Sequence, residues 1–72
     1  MRGNFYYQRL GEHIITAREK KKLSQEQLAL LSDIDRTYLA RIEEGKANPS
    51  LKILHKICKI LRVKLQKLFR GV

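Results

Sequence analysis

A single cysteine in 72 residues leaves no partner for an intramolecular disulfide. A reducing cytoplasm fits such a chain, and Cys58, set in an apolar stripe, reads as a core residue. No run approaches the roughly 18 apolar residues of a membrane span. The opening stretch MRGNFYYQRLGEHII has no uninterrupted apolar centre, which argues against a signal peptide. A glycine-rich phosphate loop is missing, as are Ser/His/Asp and Cys/His arrangements. His13 and His55 stand too far apart, and too poorly accompanied, to suggest a metal site. The expectation is a protein that is not an enzyme and has no cofactor, no metal and no evident small-molecule ligand. Internal repeats and low-complexity tracts are absent too.

Acids are missing from one end of the chain. All seven precede Gly45, and eight Lys or Arg follow it with no acid among them. The formal net charge is +9 and the pI about 10.1. A balance this basic in a small chain points to a polyanionic partner, with nucleic acid first and an anionic membrane second. The run Lys20, Lys21, Lys22 is read as a solvated face that adds long-range attraction at most.

Apolar residues make up 43% of the chain, enough for one small core but not for two. Such a core leaves about 3–5 kcal/mol of net stability, which argues against deep clefts and buried catalytic machinery. Five helical segments can be marked, and none shows strand alternation. The first starts at about residue 5 or 9 and ends at 21, with Leu10, Ile14 and Ala17 on its apolar face. Gly11 costs about 1 kcal/mol against Ala inside a helix, so regular helix is expected to open near it. Residues 1–8 are then an arm or an extra helical turn. Ser24 opens the second segment with a capping box, SQEQ, and Leu28, Ala29 and Leu31 give its apolar side. Asp35 caps a third segment that ends at Gly45, a residue free to take positive φ. Ser50 caps a fourth, residues 51–61, with Leu51, Leu54, Ile57, Cys58 and Leu61 inward. A short fifth spans residues 64–69.

The third segment separates by face. At 100° per residue, Arg36, Thr37, Ala40, Arg41 and Glu44 share an arc of roughly 140°. Tyr38, Leu39, Ile42 and Glu43 occupy the other side. Arginine offers a planar fork that can bond guanine O6 and N7 together, and threonine can bond a base edge or meet a thymine methyl. Ala40 between them leaves room for close approach to a groove. A capped helix, a turn of about four residues and a second capped helix spell a helix-turn-helix at about residues 25–44.

LSQEQLALLSDIDRTYLARIEEGKANPSL resembles the helix-turn-helix of lambda-repressor-like, Cro-type DNA-binding proteins. The likeness rests on Gln25 after the cap, Ala29 at the helix crossing, the trio Ile34, Leu39 and Ile42, the IEEG ending, and NPSL opening the next helix. It implies an all-α, compact five-helix lambda-repressor-like domain over residues 9–70, working as a sequence-specific transcriptional regulator. By resemblance, Arg36, Thr37 and Arg41 sit at base-reading positions, and Gln25, Lys46 and Asn48 at phosphate contacts. Tyr38 either touches phosphate or packs. Arg18 and Glu43, both projecting from apolar faces, are expected to form a partly buried salt bridge, and Glu44 to orient Arg41. Two positions depart from the pattern: Asp33 and Arg62 stand where the family usually has glycine. Aspartate tolerates the left-handed conformation, and the link after Arg62 is expected to differ.

DRTYLARIE is most similar to the small controller proteins of restriction–modification systems. A phage or plasmid repressor and an antitoxin-type interaction partner are the alternatives. An RNA or membrane-surface binder fits less well, because base-facing side chains are confined to one helix and no aromatic row suits stacking. The expected partners are a double-stranded DNA operator and a second copy of the chain, with no membrane. Ile53, Ile60, Leu65 and Phe69, with Val72, are a candidate dimer patch; a wider core contact would equally account for them.

Overall fold

The computed structural model describes the backbone of residues 2–71 and the side chains of residues 5–71. It holds five helices: α1 (Arg2–Lys20), α2 (Gln25–Ser32), α3 (Arg36–Glu43), α4 (Leu51–Leu61) and α5 (Leu65–Leu68). The stops and starts follow local chemistry. The Ser24 hydroxyl accepts from the Gln27 N–H at 3.0 Å while the Gln27 side chain accepts from the Ser24 N–H at 2.7 Å. Asp35 accepts from the Tyr38 N–H, and Ser50 from the Ile53 N–H. Each bond satisfies a donor that a helix N-terminus would otherwise leave unpaired. The chain ends α2 and α4 with Asp33 and Arg62 in the left-handed region, at φ of 58° in both. Both therefore adopt the conformation in which glycine costs least. At Arg62 the cap is completed by the Val63 N–H, which donates to the Cys58 carbonyl.

Leu10, Ile14, Leu28, Leu39, Ile42, Leu54, Ile57, Leu61 and Leu68 form one aliphatic core. Cys58 joins them at the edge, and burial pushes its thiol above the usual range. It is therefore a protonated packing group at neutral pH.

The core differs from the pattern on α2 and α4. Leu31, expected inward, is 54% exposed, and Ser32 is buried in its stead. The buried arc of α2 runs through Leu28, Ala29 and Ser32, and Leu31 falls about 100° off its centre. Ser32 Oγ is left with no hydrogen-bond partner. Leu51 is also exposed: it lies at the margin of the buried arc of α4 and on its first turn, where the core has ended.

The first helix begins at Arg2 rather than near Gly11. A Cβ on Gly11 would lie 2.5 Å from the Glu43 carbonyl oxygen and 2.6 Å from that of Ile42. Glycine here lets the C-terminal carbonyls of α3 settle against α1, and that contact compensates for its poor helix propensity. Over the added turns, the Arg9 guanidinium sits 5.3 Å from the Phe5 ring centre, one turn away.

Gly11→Ala sets two effects against each other. Helix propensity favours alanine by about 1 kcal/mol, and overlap with backbone that cannot rotate away costs about 1–3 kcal/mol. The overlap should win, lowering the urea midpoint by the equivalent of up to about 2 kcal/mol; an unchanged or raised midpoint would mean that α3 can move aside freely.

Candidate nucleic-acid interface

Helix α3 is bound to the body along one side only. Leu39, Ile42 and Glu43 are buried, Tyr38 and Ala40 are half-buried, and Arg36, Thr37 and Arg41 are exposed. The outward arc anticipated from spacing thus exists as a solvent-facing surface. Tyr38 packs, half-buried, against the core cluster.

Glu43 is the charged residue in the core, at 5% exposure. Arg18 meets it with two bonds, Nε to Oε2 at 2.8 Å and Nη2 to Oε1 at 3.1 Å. The remaining guanidinium nitrogen, Nη1, donates to the Leu23 carbonyl at 2.9 Å. A third donor reaches the carboxylate from α2, where Gln25 Nε2 lies 2.9 Å from Oε1. The pairing of Arg18 and Glu43 was implied by the family resemblance together with their place on apolar faces. The Gln25 contact was not, because the resemblance gave that glutamine to phosphate and nothing in its residue type points to Glu43. Gln25 therefore has a structural use: its amide group is held on Glu43 at the first turn of α2. The backbone N–H groups of that turn, at Gln25 and Glu26, have no partner within the helix and carry the positive end of its dipole.

Arg41 is also fixed by its surroundings. Its Nη2 donates to the Lys46 carbonyl at 2.9 Å, and its own carbonyl accepts from the Lys46 N–H at 2.8 Å. These two bonds close a ring between the last turn of α3 and the following loop. Glu44 does not orient Arg41, contrary to expectation. Its carboxylate lies 3.9 Å from Lys46 Nζ instead, in an exposed pair that contributes little. Gly45 sits between at φ 78°, and a Cβ there would fall 2.6 Å from Gln8 Cγ. The loop is thus pressed against α1, with Lys46 and Asn48 exposed beyond it.

On α4 and α5 and just after them, Ile53, Ile60 and Leu65 are half-buried against the core and Phe69 is 39% exposed. Val72 lies outside the described residues. No three His, Cys, Asp or Glu side chains converge as a metal site among the described residues. Among the described residues no helix is long and apolar enough to cross a membrane.

A helix-turn-helix family model matches residues 14–68. Control protein C.MunI of Mycoplasma sp is 47% identical over 55 residues, which cover 76% of this chain and 74% of that protein. The immunity repressor protein of Bacillus phage phi105 is 38% identical over 56 residues, 78% of this chain; the match spans 39% of the phage protein's length. Among solved structures, the restriction-modification controller protein C.AhdI from Aeromonas hydrophila superposes with a TM-score of 0.85 at 36% identity, over 88% of this chain and 96% of that one. The controller C.Esp1396I, solved bound to a 25 base pair operator site, gives 0.78 at 34% identity, over 90% and 86% of the two chains.

The Glu43 cluster makes a measurable distinction. Arg18→Ala leaves a nearly inaccessible carboxylate without its counter-charge and should cost about 3 kcal/mol or more. Glu43→Gln leaves Arg18 at 14% side-chain exposure, still bonded to the Leu23 carbonyl, and should cost clearly less. Urea unfolding of both variants checks this; equal losses would show that the charge on Glu43 is not what the cluster serves.

Proposed function

The chain belongs to the helix-turn-helix family, and from that premise we propose that it is a sequence-specific DNA-binding transcriptional regulator with α3 as its recognition helix. One observation carries the reading. Arg36 and Thr37 stand exposed at the N-terminal end of a helix whose opposite side is locked into the core. In a major groove that end arrives first, so Arg36 bonds guanine O6 and N7 and Thr37 meets a neighbouring base edge. Arg41, steadied by the Lys46 carbonyl, reads at the outer margin of the same groove. Gln25 with the first N–H groups of α2, the Tyr38 hydroxyl, Lys46 and Asn48 hold phosphates on either side and fix the register. Residues 9–70 make up the DNA-binding unit, with the helix-turn-helix at about 25–44, and the first turns of α1 extend it.

The action is that of a restriction–modification controller. Identity to C.MunI is 47%, against 38% to the phage repressor, which favours this over a repressor role. Regulation requires no catalysis, and the protein works in the cytoplasm where its operator is. One recognition helix covers few base pairs, so two copies bind half-sites about one DNA turn apart. Half-buried Ile53, Ile60 and Leu65 with exposed Phe69 are the surface for that pairing.

Arg36→Ala should erase about 1–3 kcal/mol of preference for operator over random DNA while leaving random-sequence affinity nearly intact. Competition gel shifts measure both, and an equal loss on the two DNAs would refute base reading by Arg36. The log–log salt dependence on operator should be steep, about 0.9 per phosphate neutralised. For the pairing surface, Phe69→Glu should shift sedimentation equilibrium toward monomer and reduce occupancy of a two-half-site operator; an unchanged dimer would move the interface elsewhere.

A further inference from the structure

The acid-free end of the chain carries more cations than the DNA surface uses, and two of them, Arg62 and Lys67, gather with Lys20 and Lys21 at one cleft. Between the second half of α1 and the α4–α5 junction lies a concavity of about 200 Å³. Its floor is apolar, formed by Ala17, Leu61, Val63 and Leu68. Its rim carries Lys20, Lys21, Arg62 and Lys67, and no acid lines it. Among the described residues the ion pairs within 4.0 Å are Arg18–Glu43 and Lys46–Glu44, so none of the four rim cations is neutralised. His13 Nε2, 2.6 Å from the Arg70 carbonyl oxygen, ties the C-terminal turn across α1 beside the cleft.

Arg62 is the second observation. It occupies the left-handed C-terminal cap of α4, at φ 58° and ψ 44°. Glycine would adopt that conformation without the Cβ crowding that an L side chain meets there. Lys22 and Asp33 adopt the same conformation without lining the cleft, so what Arg62 contributes is a planar, forked cation among the lining residues.

We propose that this cleft binds a compact organic anion: one phosphate or carboxylate on a small apolar body. The body lies on Ala17, Leu61, Val63 and Leu68, and the anionic group meets Arg62 in a forked contact with Lys67, Lys20 and Lys21 around it. The volume is below the roughly 300–1,000 Å³ of drug-sized pockets, which limits the ligand to about one ring with its charged group. Four clustered cations repel one another, and an anion between them relieves that repulsion. The cleft is remote from the proposed DNA surface. Positions 11 and 18 of α1 face α3, whereas His13, Thr16 and Lys20, which line the cleft, lie on the opposite side of the same helix. A ligand there and DNA on α3 can be bound together, so the site is suited to an effector and does not depend on the DNA-binding reading.

The test is a titration of the full chain, followed by amide NMR, with phenyl phosphate and benzoate as organic anions. Inorganic phosphate serves as the charge-only probe and benzyl alcohol as the neutral one. The expected result is saturable shifts at Ala17, Val63 and Leu68 with one or both organic anions, at least about tenfold weaker binding of inorganic phosphate, and none of benzyl alcohol. Arg62→Gly relieves the left-handed cap, so the variant keeps its fold; it should lose about tenfold or more in affinity, the equivalent of one charge-assisted contact. Lys67→Gln should weaken binding in the same direction. No saturable shift with either organic anion overturns the proposal, as does inorganic phosphate binding equally well. Undiminished binding by Arg62→Gly, or displacement of the bound anion by random-sequence duplex DNA, also overturns it; the latter would make the cleft a general polyanion surface.

Discussion

Glu43 brings a charged carboxylate into a mostly aliphatic core, and the placement of the first three helices turns on how that charge is satisfied. Two N–H groups of Arg18 from α1 and one of Gln25 from α2 converge on its two oxygens. A helix of eight residues is marginal by itself, because nucleation fixes several residues for each early hydrogen bond. Helix α3 therefore persists through what it packs on. Leu39 and Ile42 supply the non-directional part of that packing, and the Glu43 cluster supplies direction. An aliphatic side could slide or rotate by a few degrees at little cost. A carboxylate with three fixed donors cannot, since a lost donor leaves buried charge uncompensated. The orientation of Arg36 and Thr37 toward solvent follows from that restraint at the far end of their own helix.

Two glycines tighten the same region. Gly11 admits the last carbonyls of α3 against α1, and Gly45 turns the chain while lying against Gln8. The reciprocal bonds between Arg41 and Lys46 then join the helix to its loop. Side chains that would read bases and those that would hold phosphate are thus mounted on one rigid piece. Relative placement matters more than the strength of any single contact, because recognition by a short helix depends on register.

The positive charge is distributed with a purpose that stability alone does not explain. Eight basic residues and no acid follow Gly45, an arrangement that repels itself in a domain of this size. Part of that charge faces the loop at Lys46. Another part, at Arg62 and Lys67, closes around an apolar floor on the opposite side of α1. The two groups lie on different faces, so a single polyanion on α3 would neutralise the first and leave the second.

Local chemistry determined much of this protein directly from sequence. Ser24, Asp35 and Ser50 act through the next few residues, so the start of each capped helix could be read from adjacent letters. The two faces of α3 followed from its period, and Arg18 with Glu43 stood out as charges on apolar faces. Tertiary structure decided whatever depends on a partner distant in the chain. Gly11 looked like a helix start until α3 was seen resting on it. Leu31 and Leu51 looked internal, but burial depends on whether another helix covers that part of the arc, and there none does. Gln25 was given to phosphate by the family resemblance, while its bond to Glu43 depends on how α2 and α3 meet in space. The cleft beside Arg62 exists only because residues 13–21 and 61–68 fold against each other. Caps and periods are short-range and leave a trace in spacing; close approach, coverage and convergence of charge are properties of distance in space, which the order of residues alone does not encode.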